Sequence, residues 1–203
     1  MVAVMWLLQS ECAVCGVSAN GLCRRCSENL IPPSVPPLLA IDRAMVLCSY
    51  EGTGADLLQA LKFQNRRQAL GPIAEALAPG LADDIDAIVP VPPDPDRLRE
   101  RGYHVPALLA KQLSRRTGAP VVSPLERVVA QQQTGKSRAE RQSVQFTTMR
   151  MVPERVVLVD DVVTTGATAV ACAVALGLAG ARHITLAAIA ATPSPERSRL
   201  PVG

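Results

Sequence analysis

Four cysteines near the start of the chain, Cys12-x-x-Cys15 and Cys23-x-x-Cys26, fall within 15 residues. Each Cys-x-x-Cys turn aims two thiolates the same way, and the short spacer brings the turns together around one tetrahedral ion. Zinc suits four thiolates best. With sulfur in every position no place is left for a reacting water, so the ion would be structural. Gly16 and Gly21 supply the tight backbone of such a knuckle. Two disulfides or a redox pair are the other readings of this spacing.

A second constellation is Val156-Val-Leu-Val-Asp-Asp-Val-Val-Thr-Thr-Gly-Ala-Thr168. An apolar strand ends in two carboxylates, and a Thr/Gly loop then opens an apolar helix from about Ala167. In open α/β sheets, ligands bind at such a strand's C-terminal end. Loop amides and the helix N-terminus form an anion cradle, extended by the hydroxyls of Thr164, Thr165 and Thr168 and by close backbone approach at Gly166. Asp160 and Asp161 could accept hydrogen bonds from vicinal sugar hydroxyls or hold a hydrated Mg2+. Ribose 5-phosphate is the natural ligand of this set.

The third group is basic. Residues 97–155 hold 12 Lys+Arg against 4 Asp+Glu, a local excess of eight positive charges in a chain whose net charge is only +3. Arg97, Arg99 and Arg101 follow a strand-like run and could hold pyrophosphate bidentately; Lys136, Arg138 and Arg141 could close from above. Charge alone does not choose between a small phosphate ligand and a nucleic-acid backbone. With aromatic residues at 2%, stacking platforms for single strands are few.

Positioning these groups requires a fold. Residues 1–37 read as the knuckle and a linker, Ile31-Pro-Pro-Ser-Val-Pro-Pro37, because that stretch can continue neither a helix nor a central strand. Over 38–192, strand-like runs (Ile85 to Val91, Val156 to Val159) alternate with helix-like ones (Asp56 to Lys62, Gln68 to Leu81, Val105 to Arg116). This predicts an α/β domain with a largely parallel sheet. Residues 193–203 have no period and read as a loose tail. Cys48 and Cys172 stand in apolar surroundings and read as small core residues, and His104 and His183 as satisfied histidines.

Several classes drop out. The longest apolar run, Ala169 to Ala181, is 13 residues, short of a membrane span. Met1 to Leu8 lacks the basic lead and cleavage site of a signal peptide, so a cytoplasmic location is expected. Thr134-Gly-Lys-Ser137 imitates the tail of a P-loop, but Ala130 stands where the first Gly belongs, and Val121 to Val129 is broken by Pro124, Glu126 and Arg127. No GxGxxG fingerprint is present.

The Asp160–Thr168 segment resembles the motif of type I phosphoribosyltransferases that binds 5-phosphoribosyl 1-pyrophosphate (PRPP). Together with Pro90-Val-Pro-x-x-x-x-Arg97-x-Arg99-x-Arg101-Gly102-Tyr103, Gln133-Thr-Gly-x-Ser-x-Ala-Glu-Arg141 and the knuckle, it resembles the ComF family, competence-associated proteins with such a domain. The resemblance spans nearly the whole chain. It implies a type I phosphoribosyltransferase-like sheet preceded by a four-cysteine zinc knuckle, PRPP with Mg2+ as ligand, and transfer of ribose 5-phosphate to a nitrogenous acceptor. Arg97, Arg99 and Arg101 would bind pyrophosphate, with Arg101, Lys136 and Arg138 assisting its departure. It also implies the alternative of a non-catalytic DNA-uptake factor holding PRPP or single-stranded DNA. The chain departs from the family at His104 and Val105, where Asn-Gln is expected, and at Val144, where Asn is usual, so amide contacts to an acceptor are lost.

Overall fold

A computed structural model describes residues 10–81, 84–128, 145–148 and 150–193. The expectations for Met1 to Leu8, Lys136, Arg138, Arg141, Val144 and most of the tail lie outside them.

In chain order the elements are α1 (Arg24–Glu28), β1 (Arg43–Ser49), α2 (Gly52–Phe63), α3 (Leu70–Leu77), β2 (Ala87–Pro90), α4 (Pro95–Arg101), α5 (Val105–Thr117), β3 (Leu125–Val128), β4 (Gln145–Thr148), β5 (Arg155–Val163), α6 (Ala167–Leu178) and β6 (His183–Ala191). Four strands form one parallel sheet in the order β1-β6-β5-β2. Both faces are covered, which is why its strands read as continuous Val, Ile, Leu and Ala. Ile88, Val157, Val159 and Ile189 pack with α2, α3 and α5; Ala87, Val89, Val156 and Leu158 pack with α6 and Leu125. The expected α/β class with a parallel sheet is the one observed. Cys48 and Cys172 are buried core residues, and no helix among the described residues is long and apolar enough to cross a membrane.

The connections place the crevice. From β2 the chain passes through α4 and α5 and returns along β2's outer edge, where Ile88 N–H donates to Pro120 O and Val122 N–H to Ile88 O, each at 2.9 Å. From β5 it passes through α6 to β6, on the opposite side. The order in which strands are added therefore reverses between β2 and β5, and a crevice opens beyond their C-terminal ends.

Three of the runs read from the sequence differ in detail. The run Gln68 to Leu81 is a 3-10 turn at Arg67–Ala69, the helix α3 and a second 3-10 turn at Ala78–Gly80. Pro72 is confined to a first turn and Pro79 ends the helix because neither can donate an N–H. β5 runs on through both carboxylates to Val163, Asp160 pairing with Ala188 and Val162 with Ala190. Leu125–Val128 does form a strand despite Glu126 and Arg127, but it pairs antiparallel with β4, unlike a P-loop strand.

The knuckle leans on the domain. Ala13 and Leu30 join the core of α2, α3 and α5. Arg66 pairs with Glu11 at 2.7 Å. A Cβ on Gly21 would lie 2.3 Å from the Gln68 carbonyl oxygen, so only glycine allows this approach.

Candidate functional site

The sulfurs of Cys12, Cys15, Cys23 and Cys26 all lie within 4.8 Å of one another, with Cys15 Sγ and Cys23 Sγ 3.6 Å apart. Four sulfurs at tetrahedral zinc distances would be separated by about 3.8 Å, so the four cysteines could bind a structural zinc. Gly16 and Gly21 take the positive φ values, 76° and 79°, that the two turns require. Burial opposes ionisation of Cys12, but backbone hydrogen bonds at Cys15, Cys23 and Val14 outweigh it and bring its thiol down to about 6. All six cysteines are free thiols.

In the crevice, a cavity of about 310 Å3 is lined by Arg97, Arg101, His104 and Arg127 together with Asp160, Asp161, Thr164 and Thr168. Thr165 and Gly166 line an adjoining recess shared with Asp160, Thr164 and Thr168. Arg97 and Arg101 are carried by α4, an unexpected helix. Asp94 caps it, its Oδ1 accepting from the N–H groups of Asp96 and Arg97; Pro95 opens it and Gly102 closes it at φ 72°. Arg97 and Arg101, four residues apart, lie on one face of that helix. Arg99 does not reach the cavity: it is exposed and paired with Asp96.

The carboxylates are held differently. Asp161 Oδ2 lies 2.9 Å from Lys62 Nζ at the end of α2. Asp160 accepts from the N–H of Asp161 at 2.8 Å and is buried, 8% exposed. Burial, reinforced by the charge of Asp161, pushes its pKa up to about 7. Burial likewise holds the His104 imidazole below its ordinary value, against the opposing pull of Asp161 and with help from Arg101.

Gly166 enters α6 at φ 76°, and a Cβ there would come within 2.6 Å of Leu38 Cδ2. Its small size makes room for Leu38, the first residue after the linker, where sequence reasoning expected it to admit a ligand. The first-turn amides of α6 have no partners within the helix, and Thr165 Oγ1 accepts from Ala167 N–H at 3.4 Å.

Three residues at the site escaped sequence reasoning: Lys62, Arg127 and, as a wall residue, His104. Lys62 closes a helix and Arg127 lies in a broken run, with no local pattern to mark either. Arg127 stacks over Phe146 at 5.5 Å and stands 3.7 Å from Asp94.

No protein-family model and no curated protein matches this chain. Among solved structures it is similar to the crystal structure of a purine phosphoribosyltransferase from Pyrococcus horikoshii Ot3, at 23% identity, TM-score 0.43, covering 64% of this chain and 76% of that one.

Proposed function

We propose that the crevice binds PRPP and that the chain acts as a phosphoribosyltransferase of the ComF type. One observation carries the reading: two carboxylates and a Thr/Gly loop opening α6 share one cavity and its adjoining recess with Arg97, Arg101 and Arg127, at the switch point of a parallel sheet. Thr164, Thr165, Thr168 and the first amides of α6 would hold the 5-phosphate. Asp160 and Asp161 would accept from the ribose hydroxyls. Arg97 and Arg101, joined by Arg127, would take the pyrophosphate, and Lys136 and Arg138 are assigned to cover it from the resemblance.

In the transfer, the lone pair of an acceptor nitrogen forms a bond to C1 as the C1–O bond breaks. Pyrophosphate leaves with that electron pair, and the arginines stabilise its developing charge. A proton on the acceptor nitrogen passes to solvent. Magnesium finds no ready cage among the described residues: Asp161 is committed to Lys62, and Asp160 is buried beside it. It would enter on the pyrophosphate, keeping its waters.

Free, metal-spaced thiols fit a reducing, cytoplasmic setting. A competence role and a single-stranded DNA partner have only the family resemblance behind them. A concave cavity that offers cations for phosphates and carboxylates for hydroxyls suits a small sugar phosphate better than the extended backbone of a nucleic acid.

Calorimetric titration of PRPP with Mg2+ into the wild type and into Asp160→Asn/Asp161→Asn tests the reading. The wild type should bind, and the double variant should lose binding while still melting cooperatively. Unchanged affinity in that variant would remove the ribose assignment.

A further inference from the structure

A second cavity, of about 450 Å3, adjoins the first and shares Arg101 and Tyr103 with it; Lys62, Phe63, Asn65, Arg67, Glu100 and Gly102 complete its walls. With Lys62 paired to Asp161, Arg67 and Arg101 stand there against Glu100, so the excess charge is positive and favours an anion. The chain has only 2 Phe, 2 Tyr and 1 Trp, yet two of these five aromatic residues line this cavity. Phe63 is 64% exposed, so its ring is open to a ligand.

The cations are held as platforms. The Arg101 guanidinium lies 5.0 Å from the Phe63 ring centre and Arg67 lies 5.1 Å from that of Tyr103. Stacking of this kind leaves the N–H edges of a guanidinium free for a carboxylate. Arg101 Nε is buried with no hydrogen-bond partner among the described residues, a state that usually marks a missing partner.

The walls are fixed. Tyr103 Oη donates to Leu61 O. The segment bearing Arg67 is pinned on both sides by the knuckle: Arg66 pairs with Glu11, and Gln68 Nε2 donates to Glu11 O at 3.4 Å. The cavity is thus built before any ligand arrives, which lowers the ordering penalty of binding.

We propose that this cavity holds the second ligand of the site, a planar aromatic anion whose carboxylate meets Arg67 and Arg101 while its ring lies against Phe63. Its designation as second ligand rests on the PRPP reading above; its chemistry rests on the residues just named.

The test is binding of four probes to the whole chain, monitored by ligand-observed NMR and calorimetry: pyridine-3-carboxylate, benzoate, the uncharged pyridine-3-carboxamide and the non-aromatic cyclohexanecarboxylate. The two aromatic carboxylates should bind at least tenfold more tightly than the carboxamide and the cyclohexane acid. Arg67→Ala and Phe63→Leu should each weaken them about tenfold, and Arg67→Lys should restore part of the loss. PRPP affinity should stay within twofold in Arg67→Ala. A wild type that binds PRPP but none of the aromatic carboxylates, or binds the cyclohexane acid equally well, overturns the inference and leaves the PRPP reading standing. A wild type that binds the aromatic carboxylates but not PRPP keeps the cavity's chemistry and removes the PRPP reading.

Discussion

Lys62 Nζ lies 2.9 Å from Asp161 Oδ2, with both side chains largely buried, so the end of α2 and the end of β5 are tied together between the two cavities. Removing one partner strands a charge with little water around it. Lys62→Met should lower stability by about 2–3 kcal/mol. Adding Asp161→Asn to that variant should recover much of the loss. Urea denaturation of both single variants and the double variant measures the coupling; strictly additive losses would mean that the pair contributes nothing.

Asp160 gives the fold a pH signature. Its carboxyl is raised from 3.8 to about 7 by burial and by Asp161, so between those values the folded chain holds a proton that the unfolded chain has released. The folded state then binds more protons, and this residue's contribution to stability falls as pH rises through that window and is flat above it. Asp160→Asn has no such proton to lose. In ligand-free protein, its melting temperature should match the wild type near pH 4 and exceed it increasingly up to pH 7–8. A difference between the two that does not change with pH would contradict the assignment.

The cysteines predict about one zinc per chain, and Cys15→Ser or Cys23→Ser should lose it. Because Glu11 holds Arg66 and Gln68, the consequences should travel. Hydrogen exchange at Arg66–Ala69 should quicken on zinc removal, while the sheet strands β5 and β6 keep their protection. Unchanged exchange at 66–69 would mean that the knuckle does not brace that segment.

Gly166 combines a left-handed φ of 76° with a Leu38 methyl 2.6 Å from where a Cβ would stand. Gly166→Ala should therefore destabilise by more than about 1 kcal/mol, and Leu38→Ala in the same chain should recover part of it by opening space. Thermal melting of the pair of variants decides it.

Much of the site was legible because it is local in sequence. Two carboxylates, three threonines and a glycine follow one another along Asp160–Thr168, and the cysteines announce their own spacing. α4 was legible in its punctuation, Asp94 as cap, Pro95 at the first position and Gly102 beyond the end. It went unread because Leu98 is its only large apolar residue, leaving no apolar face to mark it. Once the helix is seen, the separation of Arg99 from Arg97 and Arg101 follows from its 3.6-residue period. Lys62 and Arg127 could not be read in this way: each meets its carboxylate through chain reversals that no local pattern encodes.

The central claim, that the crevice is built for PRPP, is tested most directly by titrating PRPP with Mg2+ and, separately, ribose 5-phosphate into the wild type and Arg97→Ala. Arg97 lines the cavity from α4, an element separate from the Thr/Gly loop that opens α6, so its removal should weaken PRPP by about 1.5–3 kcal/mol, the range for hydrogen bonds to charged groups, and leave ribose 5-phosphate within twofold. Equal loss for both ligands, or a wild type that binds neither, would contradict the account.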